Sequence, residues 1–230
     1  HGGFHRYSTD ASWQVPHYEK MLYNQSQLMM VYSRAYRLFG DPLYRFIVED
    51  TASFLRNWMH EEGAVFYSAI DADYEGHEGL YYLWSQDELR RLSLLKNNHL
   101  KTYSFEQGDL LGVILGEPES EASFLIRNKL SQARVDKSRP HIDKKIITAW
   151  NAQMVWALVE AYIATGDEAY QQWANETATL LWEKHFDAET DRLIRSRYMN
   201  TDAVQGRLDD YSYLAIALIK IYDLNSDELW

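Results

Sequence analysis

Apolar residues recur along this chain with a helical period. Tyr18, Leu22, Gln25, Leu28 with Met29, Tyr32, Ala35 with Tyr36, and Phe39 fall on one stripe, the mark of an amphipathic helix. Gly40-Asp41-Pro42 ends that helix and starts another, carried by Leu43, Phe46-Ile47, Phe54-Leu55 and Trp58. The pair reads as an antiparallel hairpin, entered through a glycine-rich loop over residues 1–16. From 63 to 84 the period changes. Val65-Phe66-Tyr67 and Leu80 to Trp84 read as short strands around an acidic turn, Asp71 to Gly76. Helical spacing returns over Gln86–Lys96, Phe105–Leu115 and Ser120–Val135, with Gly108 and Gly112 weakening the middle one. Residues 141–164 are apolar on nearly every face, which predicts a buried helix. Leu193-Ile194 begins another short hairpin, and Leu208–Leu224 is the last helix.

The pattern repeats. Pro16-His17-Tyr18-Glu19-Lys20 returns as Pro140-His141-Ile142-Asp143-Lys144, and Gly40-Asp41 as Gly166-Asp167. Around that turn Ala35-Tyr36 matches Ala161-Tyr162, Tyr44 matches Tyr170, and Thr51-Ala52 matches Thr177-Ala178. Both Pro-His motifs read as helix N-terminal signals, because proline and a first-turn acid suit a helix start. Helical hairpins with alternate helices buried predict an all-α fold, an (α/α) toroid or an arc of one with short β-hairpin inserts. Tetratricopeptide arrays repeat every 34 residues or so, and these hairpins run longer. The whole chain, 1–230, reads as one barrel segment.

Composition narrows the function. The net charge is −11 in 230 residues, which argues against nucleic acid and against anionic membranes. With no cysteine, disulfides and a thiolate nucleophile are excluded for this chain. No apolar run reaches the roughly 20 residues needed to cross a bilayer, and no signal peptide opens the chain. These readings predict a cytoplasmic protein. The chain lacks an initiator Met and ends directly after an apolar helix, so it reads as a segment of something longer. Eight Trp and 17 Tyr suit walls that stack on sugar rings, and suit a packed helical core as well.

Several clusters carry candidate chemistry. His17 and Glu19 form a possible acid/base pair, or a helix cap with an ion pair to Lys20. Asp71 and Asp73 suit the carboxylate pair of a glycosidase; their Asp-x-Asp-x-Glu-Gly spacing resembles a calcium loop, but Tyr82 occupies the twelfth position. The same residues read plainly as a solvated turn. Asp143, Lys145, Trp150 and Asn151 lie at the head of the most buried helix, as sugar contacts or as a network closing the helix end. Tyr23, Gln25, Trp84 and Tyr211 join them as candidate substrate contacts. Asp209 and Asp210 start the last helix, where mutual repulsion would raise one pKa or the helix dipole alone explains them. His60-Glu61-Glu62 reads as a solvated helix end. No metal site and no cofactor are expected, since phosphate loops, zinc motifs and dinucleotide fingerprints are absent.

Six motifs in order also carry a resemblance: Gly2 to Asp10, Pro16 to Tyr23, Tyr67 to Asp73, Glu78 to Trp84, Ala149-Trp150-Asn151, and Leu208 to Tyr211. Together they resemble the YyaL / spermatogenesis-associated protein 20 family. The resemblance implies a six-hairpin α/α barrel similar to N-acylglucosamine 2-epimerases, preceded in the family by a thioredoxin-like domain. It covers nearly the whole chain, which corresponds to the middle of the barrel. The chain departs from the family pattern at Asn24 and Lys144, where Asp is expected, and is short between Trp84 and Arg139. The family's reaction is not settled. The paired histidines of the related epimerases lie on later hairpins and are not carried over.

The expectation is a metal-free, carbohydrate-active enzyme of the epimerase/isomerase type, with His17 and Glu19 as acid and base. Asp71, Asp73, Asp143 and Asp210 would assist proton transfer or hold hydroxyls, and Trp84 and Trp150 would be platforms. A glycoside hydrolase with two carboxylates is the alternative, and a non-catalytic barrel binding a glycan or a protein is a third. An incomplete barrel would also expose apolar flanks and self-associate.

Overall fold

The computed structural model describes residues 2–60, 65–104, 109–198 and 204–226. Among them are seven α-helices: α1 (Leu22–Phe39), α2 (Pro42–Phe54), α3 (Gln86–Arg91), α4 (Glu121–Gln132), α5 (Thr148–Thr165), α6 (Glu168–His185) and α7 (Leu208–Asn225). One turn of π-helix, Leu55–Met59, continues α2. The chain folds into two compact units. One is made of residues 5–20 and 70–141, the other of residues 2–4, 21–69 and the chain from Ile142 onward.

The second unit holds the repeated hairpins. In both, the glycine after the inner helix takes the left-handed conformation, Gly40 at φ 66° and Gly166 at φ 72°. Its N–H closes the helix on the carbonyl of Tyr36 or Tyr162, 2.8 Å in each case. Asp41 and Asp167 then cap the outer helices by accepting the N–H of Leu43 and Ala169. α5 packs against α1, α6 and α7. That explains its lack of a polar face: Ala152, Met154, Val155, Ala157, Leu158 and Val159 are all fully buried.

The Pro-His motifs do not open helices. Pro16–His17 is a short strand antiparallel to Tyr7–Ser8, and Ile142–Asp143 is also extended. α1 and α5 start five or more residues later, behind Met21 and Ile147, neither of which caps with its side chain. Proline fixes a φ that suits an extended edge as well as a helix start. The caps come from elsewhere: the Ser68 carbonyl accepts the Leu22 N–H at 2.9 Å, and Asp210 Oδ1 accepts the Ala149 N–H at 3.0 Å.

In the first unit, Trp84, Leu89, Leu94, Leu100, Ile126 and Leu130 form the core. Ser85 and Glu88 make a reciprocal capping box at the start of α3, which is shorter than the expected 86–96. The helix expected over 105–115 is absent where described: Leu110–Leu115 is a strand between Leu100–Ser104 and Trp84–Ser85. Residues 105–108 lie outside the described residues. Gly112 faces Tyr103 across the ladder, and a Cβ there would come within 1.8 Å of the tyrosine ring. The glycine is therefore a seat for an aromatic neighbour.

The strands expected at 65–67 and 80–84 are also displaced. Of 65–67 only Phe66 makes a bridge, to His60; of 80–84 only Trp84 is in a strand, and Tyr81-Tyr82-Leu83 is a buried turn. The hairpin is the acidic segment itself, Asp73–Tyr74 against His77–Glu78. Glu75 (φ 53°) and Gly76 (φ 79°) are both left-handed, the two-residue turn that matches strand twist. Burial of the aromatic run imitated a strand. Of His60-Glu61-Glu62, the two glutamates lie outside the described residues.

Candidate functional site

In the first unit, the hairpin register puts Glu78 opposite Asp73, and Glu78 reaches His17. Glu78 Oε1 lies 2.7 Å from His17 Nδ1, and Glu19 Oε2 lies 3.5 Å from Nε2. Arg6 donates to Glu19 Oε2 at 2.8 Å, and the Tyr7 ring sits 4.9 Å from the imidazole. His17 keeps 23% of its side chain exposed, so the cluster is partly open to solvent. Asp71 and Asp73 are exposed nearby in sequence, with Asp71 Oδ1 accepting the Asp73 N–H at 3.1 Å.

Beneath this cluster lies a buried aromatic layer. Tyr18 stacks on Tyr82 at 5.5 Å, and His5 meets both rings edge-on. A Cβ on Gly79 would fall 2.4 Å from the Tyr18 ring, so glycine lets the hairpin close onto it. Burial, then the charge of Lys20, hold His5 well below the usual imidazole range. Lys20 is itself buried with its ammonium 5.4 Å from the Tyr82 ring. Trp84 is 1% exposed, and the Arg134 guanidinium covers its face at 4.5 Å.

In the second unit, Tyr23 and Trp150 meet edge to face at 5.0 Å, both half-buried. Gln25 and Asn151 are fully buried and do the same job. Each sits at the fourth position of its helix and clamps the backbone N–H and carbonyl of one residue. The N–H of Phe4 donates to Gln25 Oε1 and its carbonyl accepts from Nε2, both at 2.7 Å. Asn151 holds the N–H and carbonyl of Phe66 at 2.8 and 3.1 Å. Lys145 Nζ lies 2.8 Å from Asp143 Oδ2. Burial pushes the Asp143 carboxyl up, but the Lys145 side chain and backbone N–H outweigh it and hold the group below its ordinary value.

Asp210 is 0% exposed. Besides Ala149 it accepts the Arg207 N–H at 2.9 Å and Arg195 Nη1 at 3.2 Å, and Arg195 also bonds Asp209 at 2.9 Å. The guanidinium thus offsets repulsion between the two aspartates. Tyr211 Oη accepts the Leu193 N–H. Among the described residues no three His, Asp or Glu side chains gather as a metal site, and no helix is long and apolar enough to cross a membrane.

Glu78, Arg6 and Tyr7 were not singled out from sequence. The signal for Glu78 was the Glu75-Gly76 turn, which sets a two-residue hairpin register and so brings Glu78 back beside Asp73.

No protein-family model matches the chain. The chain is similar to spermatogenesis-associated protein 20, 30% identical for the rat protein and 28% for the human protein, over 99% of the chain in each case. It spans 36% of the length of either relative. The alignment with the human protein extends over 281 positions, so that relative carries residues this 230-residue chain lacks. In three dimensions the chain resembles cellobiose 2-epimerase from Bacillus thermoamylovorans, with a TM-score of 0.61 and 14% identity over 99% of this chain and 45% of that one. It also resembles a family 76 glycoside hydrolase from a bovine Bacteroides thetaiotaomicron strain, with a TM-score of 0.54 and 9% identity over 98% and 34% of the two chains. The fold is that of α/α six-hairpin barrels, mostly helical with small sheets.

Proposed function

We propose that this chain contributes the acid/base centre of a sugar epimerase or isomerase. The observation that carries this reading is His17 held between Glu78 and Glu19 at an exposed edge. In such a reaction a proton leaves the carbon beside a carbonyl and returns on the other face, so a side chain able to take and return a proton must sit against the substrate. Glu78 fixes the ring through Nδ1. Glu19, itself held by Arg6, can take the Nε2 proton or leave that nitrogen to the substrate. The likeness to cellobiose 2-epimerase supports a small carbohydrate as partner, and a cytoplasmic location belongs to the same reading. In the other unit, Tyr23, Trp150 and Asp143 are proposed contacts for sugar rings and hydroxyls.

A glycoside hydrolase is the second reading, because the same cluster offers two carboxylates separated by one imidazole, a spacing compatible with an acid and a base across a glycosidic bond. Single variants of the full-length protein, assayed on reducing disaccharides, separate the two. Epimerisation that falls at least a hundredfold in His17→Gln supports proton transfer through the imidazole. Glycoside cleavage that survives His17→Gln but is lost in Glu19→Gln and Glu78→Gln makes it a hydrolase. Loss of neither activity in any variant sinks both readings.

A further inference from the structure

A cavity of about 290 Å³ opens in the second unit, and none of its lining residues belongs to the His17 cluster. Val65, Ile146 and Leu180 form its apolar wall; Lys144, Lys184, Arg197 and His185 supply its polar lining. Among the described residues every formal charge on that lining is positive. Among the described residues none of the three cations has a carboxylate within ion-pair distance, although Lys144 lies 5.4 Å from the Tyr67 ring. In a chain of net charge −11 such a group is an exception. Its members repel one another, and the apolar wall concentrates their field.

His185 adds a complementary feature. It is 3% exposed, and its Nδ1 lies 2.7 Å from Thr148 Oγ1. The Thr148 hydroxyl donates its single proton to the Ile194 carbonyl. Nδ1 must therefore carry the hydrogen of this pair, which makes Nε2 the lone-pair acceptor left for a ligand. Burial, reinforced by Arg197 and Lys184, lowers the pKa of His185 to about 4, so the acceptor persists at neutral pH.

We infer that this cavity binds a small oxyanion of the phosphate class, whose charged oxygens take Lys144, Lys184 and Arg197 while its remaining O–H donates to His185 Nε2. Hydrogen phosphate carries both features, and so does the monoanion of a phosphate monoester, which keeps its last proton below about pH 6. Sulfate has the charge but no proton to give. The site stands independently of the sugar chemistry proposed for His17, and the anion is either free or carried on a sugar.

Isothermal titration of the full-length protein at pH 5.5, where phosphate and glucose 6-phosphate both keep an O–H, with inorganic phosphate, sulfate, glucose 6-phosphate and glucose tests this, with NMR to locate the site. Saturable phosphate binding is expected, roughly tenfold tighter than sulfate and weakened at least about fivefold in Lys184→Gln and in Arg197→Gln. Both replaced side chains are exposed, so folding is preserved. Glucose 6-phosphate binding more tightly than phosphate identifies a sugar-borne anion; equal or weaker binding identifies the free anion. No saturable phosphate binding at about 10 mM, equal affinity for sulfate, or shifts that bypass His185 and Arg197 would each overturn the assignment. Glucose itself reports only on the carbohydrate reading.

Discussion

At the scale of single residues, two buried amides and one buried imidazole carry most of the consequence. Asn151 is the sole side chain bonded to both the backbone N–H and the carbonyl of Phe66 among the described hydrogen bonds, and Phe66 is fully buried. Asn151→Ala strands both groups away from water, at an expected cost of about 2–4 kcal/mol. Phe4 is only half-buried, so water can replace part of the clamp in Gln25→Ala, and about 1–2 kcal/mol is expected there. Urea midpoints of the two variants compare them; equal losses would contradict the difference in burial. His185 sets a pH dependence. Its folded pKa of about 4 lies below the ordinary 6.5. Between those values the unfolded chain binds the extra proton, so stability is full above pH 6.5 and falls as pH drops toward 4, by about 3 kcal/mol. Denaturant melts across that range should show a shallower acid slope in His185→Gln than in the parent. Identical slopes would place the histidine elsewhere in the balance. Sequence offered Gln25 and Asn151 as candidate substrate contacts, with a network closing the helix end as the alternative for Asn151. It did not reveal that each clamps the backbone of one residue, because the partner backbone is distant in the chain.

At the scale of elements, the repeated turn was legible and the small sheets were not. Gly40-Asp41 and Gly166-Asp167 encode a left-handed stop and a capped start within two residues, so local chemistry sufficed. The strand Leu110–Leu115 depends on pairing with Leu100–Ser104, and nothing local to Leu110-Leu111-Gly112-Val113 announces that partner. The two kinds of glycine differ in cost. Gly40→Ala meets no atom within 4 Å and bears only the left-handed backbone strain, about 1 kcal/mol. Gly112→Ala drives a methyl into the Tyr103 ring and should cost about 2–3 kcal/mol. Hydrogen exchange would show faster amides across Leu100–Ser104 and Leu110–Leu115 for Gly112→Ala, with those of α1 unchanged. Protection equal to the parent would mean that Tyr103 moves aside freely.

At the scale of the molecule, Leu38, Phe39, Leu208, Ile219 and Tyr222 are exposed on the helices of the second unit. The 230-residue chain alone is therefore expected to associate through apolar surface. Sedimentation velocity should show a weight-average mass that rises with concentration, and a constant monomer would contradict it. The hairpin architecture was readable because burial and polarity repeat with the helices. The His17 cluster was readable only in part: His17 and Glu19 stood in one motif, whereas Glu78 joins them through a hairpin sixty-one residues on. The claim that this cluster moves a proton on a sugar is tested most directly by solvent deuterium wash-in at the carbon beside the carbonyl of reducing sugars. The full-length protein should incorporate deuterium into at least one sugar, at a rate that falls at least about a hundredfold in His17→Gln. Wash-in absent from every sugar, or unchanged in the variant, would contradict it.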